Sequence, residues 1–259
     1  MTSDMNQIVA IIAMATAAAA SGLIGVFALT RRMTLAADVI SHVALPGLGL
    51  AVLLNINPLI GGAAALILGA FLVWALERRT HIATETIIGV VFAASLAIGS
   101  LLIDSSEELL DALFGNASGL TVLEAAIGII VSLAIIFLVI FFKDKFTLAF
   151  ISPDLAKTSG LKVDRLNLAF LLMFVITVIL GLKFLGVLLM GALIIVPAAA
   201  SRNLAKSFNA DLLTAALLSI FSVLIGFLIG KRYSLEIGPA IIAVASLIFF
   251  ISVFFKKQK

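Results

Sequence analysis

Asp38 and His42 lie four residues apart inside the apolar run from Met33 to Leu54. On a helix that spacing puts a carboxylate and an imidazole on one face. A polar pair within lipid is costly and marks a functional site by default. Both groups are suitable ligands for a divalent transition metal: imidazole suits zinc, iron and copper, and carboxylate suits manganese and zinc. Counting about 1.5 Å per residue from Met33 puts His42 near the middle of a roughly 30 Å hydrocarbon core. Midplane sites at helix discontinuities are what transporters use, and Pro46 and Gly47, one turn further on, are residues that break or bend a helix. Two ligands are too few for a tight structural site, whereas an ion in transit must be released. The same spacing fits two other readings. One is a packing pair satisfied internally with a Ser or a backbone carbonyl. The other is a proton relay, since histidine titrates near neutrality.

Other chemistry is thin. Ser41 and His42 are adjacent and point to different faces, which argues against a serine nucleophile activated by this histidine. His81, the only other histidine, sits beside Arg78 and Arg79 and reads as a solvated loop residue. Glu85 reads as a carboxylate favoured at a helix N-terminus. Glu236, in Tyr233-Ser-Leu-Glu-Ile-Gly-Pro239, reads as an edge charge beside Lys231 and Arg232, with a pathway-lining or third metal-contacting carboxylate as the functional alternative. No Gly-x-x-x-x-Gly-Lys-Ser/Thr sequence occurs, so the chain is not itself an ATPase of the P-loop class. ATP-driven transport would need its motor on a separate chain. There is no cysteine, which removes disulfides, thiolate metal sites and cysteine nucleophiles.

The elements that must position these residues are membrane spans. Of 259 residues, 63% are hydrophobic and 12% charged, and the mean hydropathy is +1.29. That composition predicts an all-α polytopic integral membrane protein with about eight or nine transmembrane helices and no separate soluble domain. Apolar runs predict spans near 8–29, 33–54, 58–76, 83–103, 121–142, 166–182, 184–200, 211–229 and 236–255, some of which could be broken or re-entrant. The N-terminus has no Lys or Arg before Arg31, so the first run reads as a retained span rather than a signal peptide. With that end outside, only Lys183, Lys231 and Arg232 of the 17 basic residues fall on the outer side, which makes the other side cytoplasmic. The outer side also collects Asp104, Glu107, Glu108 and Asp111. A net charge of +3 is no argument for nucleic acid.

The longest cytoplasmic connection, Lys143 to Arg165, contains a short helix signal: Ser152 suits a cap, Pro153 a first helical position and Gly160 a stop. It reads either as a capped loop helix without a partner or as a docking surface for a cytoplasmic protein. Gly226-Phe-Leu-Ile-Gly230 reads as close helix packing.

Asp38-Val-Ile-Ser-His-Val-Ala-Leu-Pro-Gly47 resembles the second-span motif of the zinc/manganese/iron ABC importer permeases, the ABC-3 family, and most of all its zinc-uptake members. Glu85 to Phe92, running on to Ala97-Ile-Gly99, resembles the fourth-span pattern. Pro153-Asp-Leu-Ala-Lys-Thr-Ser-Gly160 resembles the cytoplasmic coupling helix. Leu182 to Ser201 resembles the long Gly-to-Pro segment that follows. The order and spacing of these stretches cover nearly the whole chain.

The resemblance implies one transmembrane permease domain over 1–259, with a coupling helix near 153–160, in a multi-pass protein of the prokaryotic inner membrane. It implies a transport subunit rather than an enzyme, importing Zn²⁺, or else Mn²⁺ or Fe²⁺, as substrate, with no permanently bound cofactor. The partners implied are cytoplasmic ABC ATPase subunits, an extracytoplasmic metal-binding protein, a second permease subunit forming a dimer, and the lipid bilayer. Asp38 and His42 take the family's pathway positions. Pro153, Asp154, Leu155, Ala156 and Gly160 take the ATPase-coupling positions. Many relatives have Asp where Ser152 precedes the proline, and often Asp where Glu236 precedes the last Gly-Pro. A proton-coupled secondary carrier and an ABC permease for a metal chelate are the competing function classes.

Overall fold

The computed structural model describes the backbone of residues 2–33, 36–80, 82–102, 121–185 and 187–255, and the side chains of these residues apart from 2–7, 36–38 and 183–189. The described residues form eleven α-helices: α1 (Thr2–Thr30), α2 (Ala36–His42), α3 (Leu45–Leu53), α4 (Pro58–Arg79), α5 (Thr84–Leu102), α6 (Val122–Ile151), α7 (Pro153–Thr158), α8 (Val163–Leu185), α9 (Val187–Leu204), α10 (Phe208–Tyr233) and α11 (Ile237–Phe254). Seven of them are long and apolar enough to cross a membrane. The apolar segments Val39–Leu53 and Met190–Leu204 are shorter. The protein is therefore all-α and polytopic, and each of the nine apolar runs corresponds to helix.

Helix α1 is the centre of the bundle. It packs against α6, α8, α9 and α10. Its Ala17–Ala20 run and its glycines make this possible, because without a water-driven hydrophobic effect between helices, close backbone contact has to supply the packing. A Cβ on Gly25 would sit 1.9 Å from the Ile194 carbonyl oxygen, and one on Gly22 would sit 2.6 Å from that of Ala215. At the cytoplasmic end of α1 the filling changes from small to aromatic. Phe27 meets Phe146 and Phe208 edge to face, at ring separations of 5.7 and 5.4 Å, and Phe150 meets Phe170 at 5.1 Å. The Gly226 pattern packs as expected, against Ile241 of α11.

Two boundaries differ from the sequence reading. The run 121–142 continues as helix to Ile151, so Lys143, Asp144 and Lys145 lie on α6 and not in a connection. Thirty residues make a helix of about 45 Å, longer than a hydrocarbon core of about 30 Å, and its charged end can project into the cytoplasm. Ser152 does occupy the position before α7, but its side chain makes no cap hydrogen bond. It also closes α6, its N–H donating to the Leu148 carbonyl at 3.0 Å, and its backbone serves that junction.

Candidate functional site

The second span is broken where the chemistry lies. Helix α2 ends at His42, residues 43 and 44 form a turn, and α3 starts at Leu45 with Pro46 in its first turn. The cause is local. Pro46 has no N–H to give the His42 carbonyl, and its ring crowds that carbonyl. The chain instead tightens to shorter-range bonds, Val43 N–H to the Ile40 carbonyl at 3.0 Å and Ala44 N–H to that of Ser41 at 3.2 Å. The discontinuity therefore falls one turn before the proline, next to the histidine itself.

His42 is half-buried, and its ring meets Phe92 of α5 edge to face at 5.5 Å. Its Nδ1 is enclosed and has no hydrogen-bond partner among the described residues. A buried ring nitrogen without a protein partner carries an unpaid desolvation cost, and a metal ion is one group that could meet it. Helix α2 packs between α5 and α9. Helix α3 is locked to α4 by a reciprocal contact: a Cβ on Gly47 would sit 2.1 Å from the Gly61 oxygen, and one on Gly61 would sit 2.2 Å from the Gly47 oxygen. Gly47 thus fixes a helix crossing as well as following the break.

Asp38 lies on α2, one turn before His42, but its side chain is outside the described residues. His81 and the acidic positions Asp104, Glu107, Glu108 and Asp111 are outside them as well. Glu236 is exposed and precedes α11 without a side-chain cap bond. Among the described residues no three His, Asp or Glu side chains come together to hold a metal. An open cavity of about 500 Å³ between α3, α4 and α5 is lined almost wholly by apolar groups such as Leu50, Leu68 and Val91, with Ser95 the polar exception. It offers an ion nothing.

Helix α7 is short and well closed. Leu161 N–H donates to the Ala156 carbonyl and Gly160 N–H to that of Lys157, both at 3.0 Å, with Gly160 at φ +80°. This is the double bond pattern that ends a helix at a left-handed glycine, so the expected stop is present. Ala156 is buried against Ala149 and Val163, anchoring α7 to α6 and α8. Asp154, Leu155 and Lys157 face outward. An exposed leucine between two charges on a pinned helix is a ready contact for another protein.

Two charge clusters, one buried and one reaching from a buried Asp211 to an exposed Arg202, have pairings that the sequence does not show. Arg31 donates from Nη2 to Glu77 Oε1 at 2.6 Å, and Thr84 Oγ1 donates to the same oxygen at 2.8 Å. The Arg31 side chain is nine-tenths buried. Burial pulls its pKa below the ordinary value, while the charge and hydrogen bond of Glu77 push it back. The second cluster joins Ser201, Arg202 and Asp211. Ser201 Oγ donates to the Asp211 carboxylate and, at 2.7 Å, to its carbonyl. Arg202 reaches the carboxylate at 3.5 Å and Thr30 Oγ1 at 2.7 Å. For Asp211 the usable signal is a lone carboxylate opening the apolar run 211–229; Glu77, just past the run 58–76, carries no such signal.

The sequence profile described as the ABC 3 transport family matches residues 4–256. This chain belongs to the ABC 3 transport family. It is a multi-pass permease of the cell membrane. It is 32% identical over 238 residues to the high-affinity zinc uptake system membrane protein ZnuB of Buchnera aphidicola subsp. Baizongia pistaciae, covering 90% of this chain and 91% of that one. It is also 32% identical over 253 residues to the manganese transport system membrane protein MntC of Listeria monocytogenes, covering 96% and 90%. Among solved structures the permease superposes on PsaBC from Streptococcus pneumoniae in complex with Fab with a TM-score of 0.81, at 27% identity, covering 94% of this chain and 89% of that one. An inward-facing ABC transporter assigned to the metal-chelate type shares the fold, with a TM-score of 0.75 at 18% identity, covering 96% and 85%.

Proposed function

We propose that the permease imports a divalent transition metal, with Zn²⁺ as the preferred substrate and Mn²⁺ and Fe²⁺ as competitors. The observation that carries this reading is the enclosed, unpartnered Nδ1 of His42 at a helix break in the second span. Asp38, one turn away, supplies the second ligand, and Glu236 a carboxylate at the outer mouth. A neutral imidazole with a carboxylate is a moderate donor set for zinc or manganese, suited to an ion that must leave again. Coordination needs the imidazole neutral. Relatives at equal identity are named for zinc and for manganese, which is why the choice of ion is an experimental question.

Energy comes from cytoplasmic ATPase subunits that dock on α7 through Asp154, Leu155 and Lys157. An extracytoplasmic binding protein delivers the metal, and a second permease copy completes the pathway. The test is reconstitution with the ATPase subunits in proteoliposomes and radiometal uptake with zinc, manganese and iron in competition. ATP-dependent uptake should disappear in the Asp38→Ala, His42→Ala double variant. Unchanged uptake in that variant removes the site. Uptake that follows a proton gradient without any ATPase subunit makes the protein a secondary carrier.

A further inference from the structure

The Arg31–Glu77 pair stands where the elements around His42 meet the end of α6. Arg31 closes α1, and the chain that leaves it reaches His42 eleven residues later. Glu77 is near the end of α4, which is locked to α3 through Gly61 and Gly47. Thr84 opens α5, which carries Phe92 onto the His42 ring. The Arg31 guanidinium lies 5.4 Å from the ring centre of Phe150, three residues before Pro153 starts α7. Helices α1, α4 and α5 are thus tied together at one charge pair beside the root of α7, and of these α4 and α5 pack against the His42 helix.

The pair is also incompletely used. A guanidinium and a carboxylate can form two parallel bonds, but here only Nη2 and Oε1 meet. Arg31 Nη1 and Glu77 Oε2 are buried and have no partner among the described residues. Both residues line a cavity of about 270 Å³ whose wall includes Pro153 and Lys157 of α7. The room and the unused prongs leave space for a second arrangement, fork on fork. Coupling between distant sites needs such an element with two discrete arrangements.

We propose that Arg31 and Glu77, held by Thr84, are positioning residues that carry movement of α7 to the helices around His42. They touch no metal. The proposal rests on the reading of α7 as the ATPase contact. A pair that merely stapled the fold would, when weakened, lower ATP hydrolysis and metal uptake together with the amount of assembled complex. A coupling pair, when weakened, leaves hydrolysis running and lowers the metal taken up per ATP consumed.

The experiment measures zinc uptake and ATP hydrolysis in the same proteoliposomes for the intact permease–ATPase complex. Glu77→Gln keeps an acceptor for Arg31 and removes the charge. The expected fall in uptake per ATP is about tenfold. Thr84→Val removes a single hydrogen bond and is the arm that decides if Glu77→Gln fails to assemble; its expected fall is about threefold. A ratio unchanged in Thr84→Val, or uptake and hydrolysis falling in step in both variants, overturns the proposal. Leu155→Asp separates it from the reading beneath: if that variant still copurifies with the ATPase subunits, α7 is not their contact, whatever the ratio does.

Discussion

His42 and Asp211 are both polar groups enclosed in an apolar bundle, and they are treated in opposite ways. Asp211 accepts a hydrogen bond from Ser201 and pairs with the charge of Arg202. His42 has an enclosed nitrogen without a partner among the described residues, and its ring meets Phe92 edge to face. The first pattern is how a fold retains a costly group: it supplies partners that remove the cost. The second leaves a cost standing at a helix break. Burial alone does not mark a transport site, and neither does a missing partner, since Arg31 Nη1 and Glu77 Oε2 share it; His42 adds a metal-ligating nitrogen at a helix break.

The contrast predicts that the two sites fail differently. His42→Ala should lower metal uptake about a hundredfold, because one of two ligands is lost, while the thermal midpoint of the purified permease stays unchanged. A large drop in the midpoint would place His42 with Asp211 among structural groups. Gly25→Ala should destabilise by about 3 kcal/mol or prevent assembly, since the added methyl meets the Ile194 backbone in a packed interior; denaturation in detergent reads this. Asp211→Ala should cost about 2 kcal/mol, the scale of hydrogen bonds to a charged group. In the complex that does assemble, uptake per ATP should be normal. Phe92→Leu should change metal affinity about threefold, the size of one aromatic edge contact, measured by competition with cold zinc.

The same contrast explains what the sequence disclosed. The nine apolar runs were legible because hydropathy over a span-length window is a one-dimensional signal, and the break in the second span was legible because proline acts on the residue four positions earlier. The ends of α7 were legible for the same reason: Pro153 and Gly160 act locally. Glu77 was not legible, because its partner Arg31 lies 46 positions away and nothing in the intervening chain announces the meeting. The extension of α6 through Lys143 and Lys145 is not legible, because charge signals only the end of lipid and not the end of helix. His42 could be picked out by type and spacing, but its lack of a partner is a property of three dimensions.

The Gly47–Gly61 crossing has a mechanical consequence. Where the two backbones meet, only small side chains such as Ala51 and Ala65 lie beside the contact, so little can give way there and a tilt of α3 would carry α4 with it as one lever. Its fulcrum is the turn at Val43 and Ala44. Nine residues of α3 reach about 13 Å beyond that turn, so tilting the lever by ten degrees sweeps its far end through roughly 2 Å. That is close to the radius of a hydrated ion's inner shell, enough to widen or shut a passage one atom across.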